Sequence, residues 1–402
     1  MKALLVSFID SSNIGDRLIA ETLDKQLLTD CETKKYSYKL IEESQVVIKQ
    51  AIVPRSKLHE IYYKYFRSIP FLGNVVTKGK WLRGRHRMYD PKNIANFEQA
   101  LTQADLLVIG GGNAIFDLSS ATLSAQRFDQ VVSLAKKHQV PIFVSSIGIG
   151  PFCTNKQEAA AVETLKKCEY VTFRDQRSLN YLPEDQHSAA YGSVDPVFLL
   201  PATLPFEQLK AKKRLNQRIG ICVIDYRITG CSHKEYLSYL TQMKQLIQRL
   251  AQMNSEIILF SSEIQDYETL EAIYASFENY SQVTSVLIKD KEALLKLYEG
   301  LNLVIGTRMH SMIVAVSQYI PIIGLSWQQK VKEMFRNLNL EDDVLPIEEL
   351  APNLDLLIEK VQTKLTNNPQ ELMKMKECKE AMQGKFAINH QIMHTLEQRF
   401  QE

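Results

Sequence analysis

Residues 302–330 read Asn-Leu-Val-Ile-Gly-Thr-Arg-Met-His-Ser-Met-Ile-Val-Ala-Val-Ser-Gln-Tyr-Ile-Pro-Ile-Ile-Gly-Leu-Ser-Trp-Gln-Gln-Lys, and this run decides the fold. Residues 303–305 form a short apolar strand that breaks at Gly306. Residues 311–319 have the composition of a buried helix, and a second apolar strand follows at 321–325. Such a strand–loop–helix–strand unit sets its loop at the carboxyl end of a parallel strand. Free backbone N–H groups and the helix dipole favour anions there. Arg308 and His310 lie in that loop. One is a cation that stays charged, and the other titrates near neutrality. Alone, the pair fits an ordinary ion pair and a core histidine better than a site, so the rest of the chain has to supply its partners.

The same unit recurs outward from this run. Residues 2–9 read as a first strand, followed by the turn Asn13-Ile-Gly-Asp16 and a helix over 18–28. Asp16 suits either a ligand-facing loop or a helix cap. Residues 105–109 form a buried strand ending in Gly110-Gly-Gly-Asn113. The three consecutive glycines allow close backbone approach and are expected to expose N–H groups as an anion nest. A strand over 140–146 runs into Gly148-Ile-Gly-Pro151, another over 170–173 ends at Arg174-Asp175, and 191–194 lead into Asp195-Pro196. Gly148, Arg174 and Asp195 should therefore share one sheet edge. Strands alternating with helices predict a doubly wound parallel sheet.

A domain over 1–205, a polar linker over 206–217, a second α/β domain over 218–346 and C-terminal helices over 347–402 follow from this alternation. The terminal helices are expected to fold back towards the N-terminal domain. Two such domains make the cleft between them the expected site.

Composition narrows the function. The chain has 402 residues, 45% of them hydrophobic, and a formal net charge of +2, which gives no global bias towards nucleic acid. The N-terminus lacks the long apolar region of a signal peptide, and no run approaches the roughly 20 apolar residues of a spanning helix. Six scattered cysteines without a Cys-x-x-Cys pair fit a reducing cytoplasm better than a disulfide framework. The glycine loops are neither Gly-x-Gly-x-x-Gly nor a Walker A loop, so no nucleotide cofactor is expected. No His-x-x-x-His or clustered aspartate pair suggests a metal. Residues 54–90 interleave basic residues such as Arg83, Arg85 and Arg87 with aromatics such as Tyr62, Phe66 and Trp81. That stretch suits a solvated basic face or, after it, contact with anionic lipid headgroups, polyanionic glycan or, least of all, nucleic acid.

The bottom-up inventory is thus two arginines, Arg174 and Arg308, His310, the glycine loops and Lys330 at facing sheet edges. It suits a small substrate with two anionic groups. Taken in order, Asn13-Ile-Gly-Asp16, Gly110-Gly-Gly-Asn113 with Phe116-Asp117, Gly148-Ile-Gly-Pro151, Phe173-Arg-Asp-Gln-Arg-Ser178, Asp195-Pro196, Thr307-Arg-Met-His310 and Gly324-Leu-Ser-Trp-Gln-Gln-Lys330 resemble the polysaccharide pyruvyl transferase family. The resemblance implies two Rossmann-like domains in a GT-B-like arrangement. It also implies transfer of the pyruvyl group of phosphoenolpyruvate onto a sugar diol as a ketal, in cell-surface glycan synthesis, with no cofactor beyond that donor.

Matched residue by residue, Arg174 and Arg308 fall on the donor-binding arginines and His310 on the family's histidine. The remaining substrate contacts are expected at Gly111, Gly112, Asn113, Asp16, Gly148, Asp195, Lys330 and Trp327. Ser145-Ser146 and Trp327 depart from the family's usual glutamine-containing segment and tyrosine, which bears on the acceptor pocket. The resemblance also gives 54–90 a use, docking at the cytoplasmic membrane face near a lipid-linked oligosaccharide. Two other readings stand beside it. One is a nucleotide-sugar glycosyltransferase with Glu263 or Asp266 as its ligand carboxylate, and the other is an inactive glycan- or membrane-binding relative.

Overall fold

A computed structural model of the chain describes residues 1–48, 79, 82, 90–117, 122–182, 187–211, 217–253 and 255–401. Nearly all of the basic, aromatic stretch 54–90 lies outside the described residues. Two parallel sheets carry the fold. The N-terminal sheet holds β1 (Lys2–Val6), β2 (Glu32–Tyr36), β3 (Leu106–Gly110), β4 (Asn113–Ile115), β5 (Ile142–Ile149), β6 (Tyr170–Phe173) and β7 (Ala190–Gly192). Its order is β2-β1-β3-β5-β6-β7, with the short β4 pairing on β5. Helices α1 (Ile14–Gln26), α2 (Pro91–Leu101), α3 (Ser124–Lys137), α4 (Asn155–Leu165) and α5 (Gln176–Leu179) connect these strands.

After α6 (Phe206–Ala211), the C-terminal sheet runs through β8 (Arg218–Cys222), α7 (His233–Ala251), β9 (Glu256–Phe260) and α8 (Tyr267–Tyr274). It continues with β10 (Val283–Ser285), α9 (Lys291–Glu299), β11 (Leu303–Gly306), α10 (Met309–Ser317), β12 (Ile322–Ser326), α11 (Gln329–Asn337) and β13 (Val344–Pro346). The order is β10-β9-β8-β11-β12-β13. The chain reverses direction between β1 and β3 in one sheet and between β8 and β11 in the other. Loops diverge at such switch points and leave a crevice outside the strand ends.

Local sequence explains most elements. The Leu-Leu-Val-Ile-Gly of β3 is buried throughout, as a strand covered on both faces requires. Asp90 caps α2 ahead of Pro91, and Ser232 and Glu235 close a capping box on α7. The strand β2, Glu-Thr-Lys-Lys-Tyr, has no apolar run because it is an edge strand in which only Tyr36 is buried. The stretch expected as linker, 206–217, opens with a helix. Residues 206–211 form α6, whose Phe206 packs edge-on to Tyr319, with ring centroids 5.4 Å apart.

The halves share a continuous apolar core. Leu18 of α1, Phe198, Ile313 of α10 and Met382 belong to one buried cluster. Full burial of side chains like these stabilises by roughly 1.5–3 kcal/mol each. Helices α12 (Leu354–Thr366) and α13 (Asn368–Gln401) close the chain. The buried Asn389 of α13 accepts hydrogen bonds from Ser145 (3.0 Å) and Thr172 (2.6 Å) and donates to Ser193 (2.7 Å) of the N-terminal half. Ser145 and Ser146 are fully buried beneath α13. Both serines are thus packing positions, and neither lines the cleft described below.

Candidate functional site

The site is built from loop ends of both sheets. The loop after β11 is held tightly, because Thr307 Oγ1 donates to the Cys222 carbonyl at 2.7 Å and Trp327 Nε1 donates to the Thr307 carbonyl at 2.9 Å. From there α10 starts at Met309 with no side-chain cap and no acidic residue in its first turn. The nine-residue α11 starts the same way at Gln329. Two uncapped N-termini thus place unsatisfied N–H groups and positive dipole ends by the cleft.

Arg308 is anchored from below. Its Nε donates to Asp266 Oδ2 at 2.9 Å, and its Nη2 donates to Oδ1 at 2.7 Å. Asp266 is wholly buried and also accepts from Ser261 Oγ and the Asp225 N–H. Burial alone would favour a neutral Arg308, but Asp266 outweighs it and holds the guanidinium charged. This fork fixes one edge of the guanidinium plane and leaves the rest of it for the cleft.

His310 sits between two carboxylates of the other half. Its Nδ1 lies 3.5 Å from Asp16 Oδ1, and its Nε2 lies 3.4 Å from Asp195 Oδ2. The second contact is close enough for charge attraction but not aligned as a hydrogen bond, and among the described residues the buried Nε2 has no hydrogen-bond partner. Asp195 also faces Arg174 Nη1 at 3.3 Å and accepts from the Val197 N–H. Burial would push the Asp195 carboxyl up; His310, Arg174 and Val197 outweigh it and hold it below the ordinary value. Asp195 is fully engaged as the floor of the site, below Arg174 and His310.

Arg174 is 7% exposed. Gly148 explains how it fits, because a Cβ at that position would stand 2.6 Å from Arg174 Nε. Lys330 is half-buried at the start of α11. Burial pushes its ammonium down to about 8, with Arg174 and Arg308 adding repulsion that Asp16 and Asp195 oppose.

These groups meet in one cleft of about 620 Å³ lined by Asp16, Asn113, Arg174, Arg308, His310, Trp327 and Lys330. Gly111 and Gly112 do not line it. Their positive φ angles of 64° and 71° turn the chain against α1 and Phe8, and a Cβ on Gly111 would lie 2.0 Å from Ile19. The Gly111 N–H donates to the Ser145 carbonyl at 2.8 Å. The expected anion nest is corrected to a packing turn, whose glycines let α1 approach the sheet.

The sequence reasoning missed Gly15 and Glu333. A Cβ on Gly15 would lie 2.3 Å from the His310 Cβ, and Glu333 lines the cleft one turn beyond Lys330. Lys330 and Glu333 stand at i and i+3 on a helix, the one signal that pointed to a shared face. Among the described residues, no group of three or more His, Cys, Asp or Glu side chains is arranged to hold a metal ion.

The family model described as polysaccharide pyruvyl transferase matches residues 13–329. The chain belongs to the polysaccharide pyruvyl transferase family. All the cleft residues named from the sequence except Lys330 fall inside that span. No curated protein sequence matches the chain. Among solved structures, HepE from Anabaena in complex with UDP and glucose is similar at a TM-score of 0.53 and 12% identity, over 99% of each chain. A putative UDP-N-acetylglucosamine 2-epimerase from Listeria monocytogenes is similar at 0.52 and 10% identity, over 93% of this chain and 90% of that one. The UDP-GlcNAc 2-epimerase from Neisseria meningitidis, bound to UDP-GlcNAc, is similar at 0.51 and 12%, over 99% and 100%. At such identities the likeness is one of fold. This pyruvyl transferase family member therefore has the GT-B-like, two-sheet α/β architecture.

Proposed function

We propose that the protein transfers the pyruvyl group of phosphoenolpyruvate onto a sugar diol as a ketal, during synthesis of a cell-surface polysaccharide. The observation that carries this reading is the convergence of Arg174, Arg308, Lys330 and two uncapped helix N-termini on one cleft, around a histidine set between two aspartates. Phosphoenolpyruvate has a carboxylate and a phosphate to match those cations.

In this mechanism Arg174 and Arg308 grip the carboxylate and the phosphate. Lys330 and the N-terminal N–H groups of α10 add to the hold. His310 delivers a proton to the methylene carbon C3, so that C2 becomes electrophilic and a sugar hydroxyl adds to it. Phosphate departs, and the second hydroxyl closes the ketal. Trp327 and Asn113 line the part of the cleft left for the acceptor. Calorimetry with phosphoenolpyruvate, UDP-sugars and GDP-sugars tests the donor, and selective binding of phosphoenolpyruvate is the expected outcome. His310→Ala should lower kcat by at least about 10²-fold. A loss below about threefold would remove the general-acid role.

The nucleotide-sugar reading called on Asp266 or Glu263. Asp266 is buried against Arg308, and Glu263 has its carboxyl pushed up by burial beside Ser12, which favours the phosphoenolpyruvate reading. Among the described residues no helix is long and apolar enough to cross a membrane. The proposed setting is the cytoplasmic membrane face, reached through the basic residues of 54–90 and presenting the cleft to a lipid-linked oligosaccharide. Flotation with liposomes tests this; partitioning that ignores anionic lipid would sink it.

A further inference from the structure

The proposed reaction needs a group that takes a proton from the attacking sugar hydroxyl, and the arginines of the cleft, Arg174, Arg177 and Arg308, cannot accept one. Its other carboxylates are occupied. Asp16 accepts from Ser11 Oγ and faces His310. Asp175 caps the Ser178 N–H at 2.7 Å and lies 3.5 Å from Arg174 Nε. Asp195 holds Arg174 and the Val197 N–H.

Glu333 differs from all three. It lines the same cleft from α11, its Oε2 is buried, and among the described residues no hydrogen-bond partner reaches that oxygen. Among the described residues no cation pairs with it within 4 Å. That buried oxygen is uncompensated in the folded protein alone, while the side chain as a whole stays part-exposed in the cleft, within reach of a ligand.

We infer that Glu333 is the general base for the acceptor, taking the hydroxyl proton as the sugar oxygen bonds to C2. This inference rests on the phosphoenolpyruvate reading. In the first addition the sugar O–H bond breaks, the O–C2 bond forms, and the proton passes to Glu333 while His310 gives its own proton to C3. The C2–O bond to phosphate then breaks; phosphate departs and takes up a proton from solvent, and Glu333 returns its proton to solvent. The second hydroxyl adds to C2 and returns a proton to His310. Two hydroxyl protons are lost, one gained by carbon and one by phosphate, with no change of oxidation state beyond the addition itself. Burial, reinforced by Asp175 and opposed by Arg177, Arg336 and Arg174, pushes the Glu333 carboxyl up.

The position fits the charge pattern. A carboxylate against the anionic donor would repel it, so Glu333 belongs to the neutral acceptor, whose hydroxyls can donate to it. The test compares wild type with Glu333→Gln, which keeps the side-chain shape, and with Glu333→Asp, which keeps the charge. Phosphoenolpyruvate binding is measured by calorimetry. Turnover is measured as phosphate released in the presence of glycolipid extracted from cells lacking this gene, and melting temperature reports folding.

The expected result is binding within about threefold of wild type for Glu333→Gln, a fall in turnover of at least about 10²-fold, and partial recovery in Glu333→Asp. Turnover of Glu333→Gln within threefold of wild type overturns the inference. A tenfold loss of donor binding in either folded variant does the same, because it places Glu333 on the donor. If wild type itself neither binds phosphoenolpyruvate nor releases phosphate, the underlying reading fails and the inference falls with it. Failure of the variant result alone leaves that reading standing.

Discussion

Gly15 of α1 lies against His310 of α10 across the two halves of the molecule, so closely that a Cβ on Gly15 would stand 2.3 Å from the His310 Cβ. The contact is backed by the Ile14 N–H, which donates to the Ser262 carbonyl at 2.8 Å. The N-terminal half thus closes directly on the histidine. A glycine-to-alanine change inside a helix ordinarily stabilises by roughly 0.5–1 kcal/mol. Here the sign reverses. Gly15→Ala should destabilise by about 1–3 kcal/mol through overpacking and should lower kcat at least tenfold. Thermal melting and turnover check both.

The pairing of Arg308 with Asp266 predicts a separation of effects. Asp266→Asn removes one partner of a buried ion pair, which costs about 3–5 kcal/mol, and it frees the guanidinium from its fixed plane. Arg308→Lys keeps a charge but cannot reproduce the two-point fork. Phosphoenolpyruvate affinity should fall roughly tenfold or more in both, as hydrogen bonds to charged groups contribute about 1.5–3 kcal/mol each. Calorimetry showing unchanged binding in Arg308→Lys would remove Arg308 from the clamp.

Gly148 gives a test that leaves every charged group in place. In Gly148→Ala the new methyl meets the Arg174 guanidinium at 2.6–2.9 Å. The arginine must shift, and donor affinity should fall about tenfold with little change in melting temperature. Equal affinity would show that the seat of Arg174 is not set by this contact.

Lys330 gives the binding a pH dependence. Its ammonium is charged below about 8 and neutral above. Donor binding should therefore be strongest below that pH and weaken as pH rises through it, with proton uptake on binding above it. Lys330→Met should flatten the profile. For stability the sign is opposite, since an unfolded lysine titrates near 10.4 and the folded state binds fewer protons between the two values. This lysine's contribution to stability should rise with pH across that window. Titration calorimetry and urea midpoints at several pH values read the two effects separately.

Asn389 is a prediction about the fold alone. Asn389→Leu leaves Ser145, Thr172 and Ser193 without their shared partner. A loss of about 2–4 kcal/mol is expected from buried hydrogen bonds broken on one side only. Urea unfolding should show it, with phosphoenolpyruvate affinity retained in the folded fraction.

The sequence alone determined the alternation of apolar strands and helices, the two-sheet α/β class, and the placing of Arg174, Arg308 and His310 at strand ends. These follow from periodicity and from the meaning of a loop that ends a parallel strand, both properties of residues close along the chain. The ordered motifs carried the family as well. Only the tertiary structure decided what each of those residues meets. Arg308 and Asp266 are 42 residues apart, and Ser145 and Asn389 are 244 apart. No local pattern encodes such pairings, because hydrogen-bond partners and packing neighbours are chosen by how the sheets and helices dock. The same docking turned Gly111 and Gly112 from a ligand nest into packing positions, set His310 between aspartates of the other half, and left Glu333 in the cleft with one buried oxygen that has no hydrogen-bond partner among the described residues.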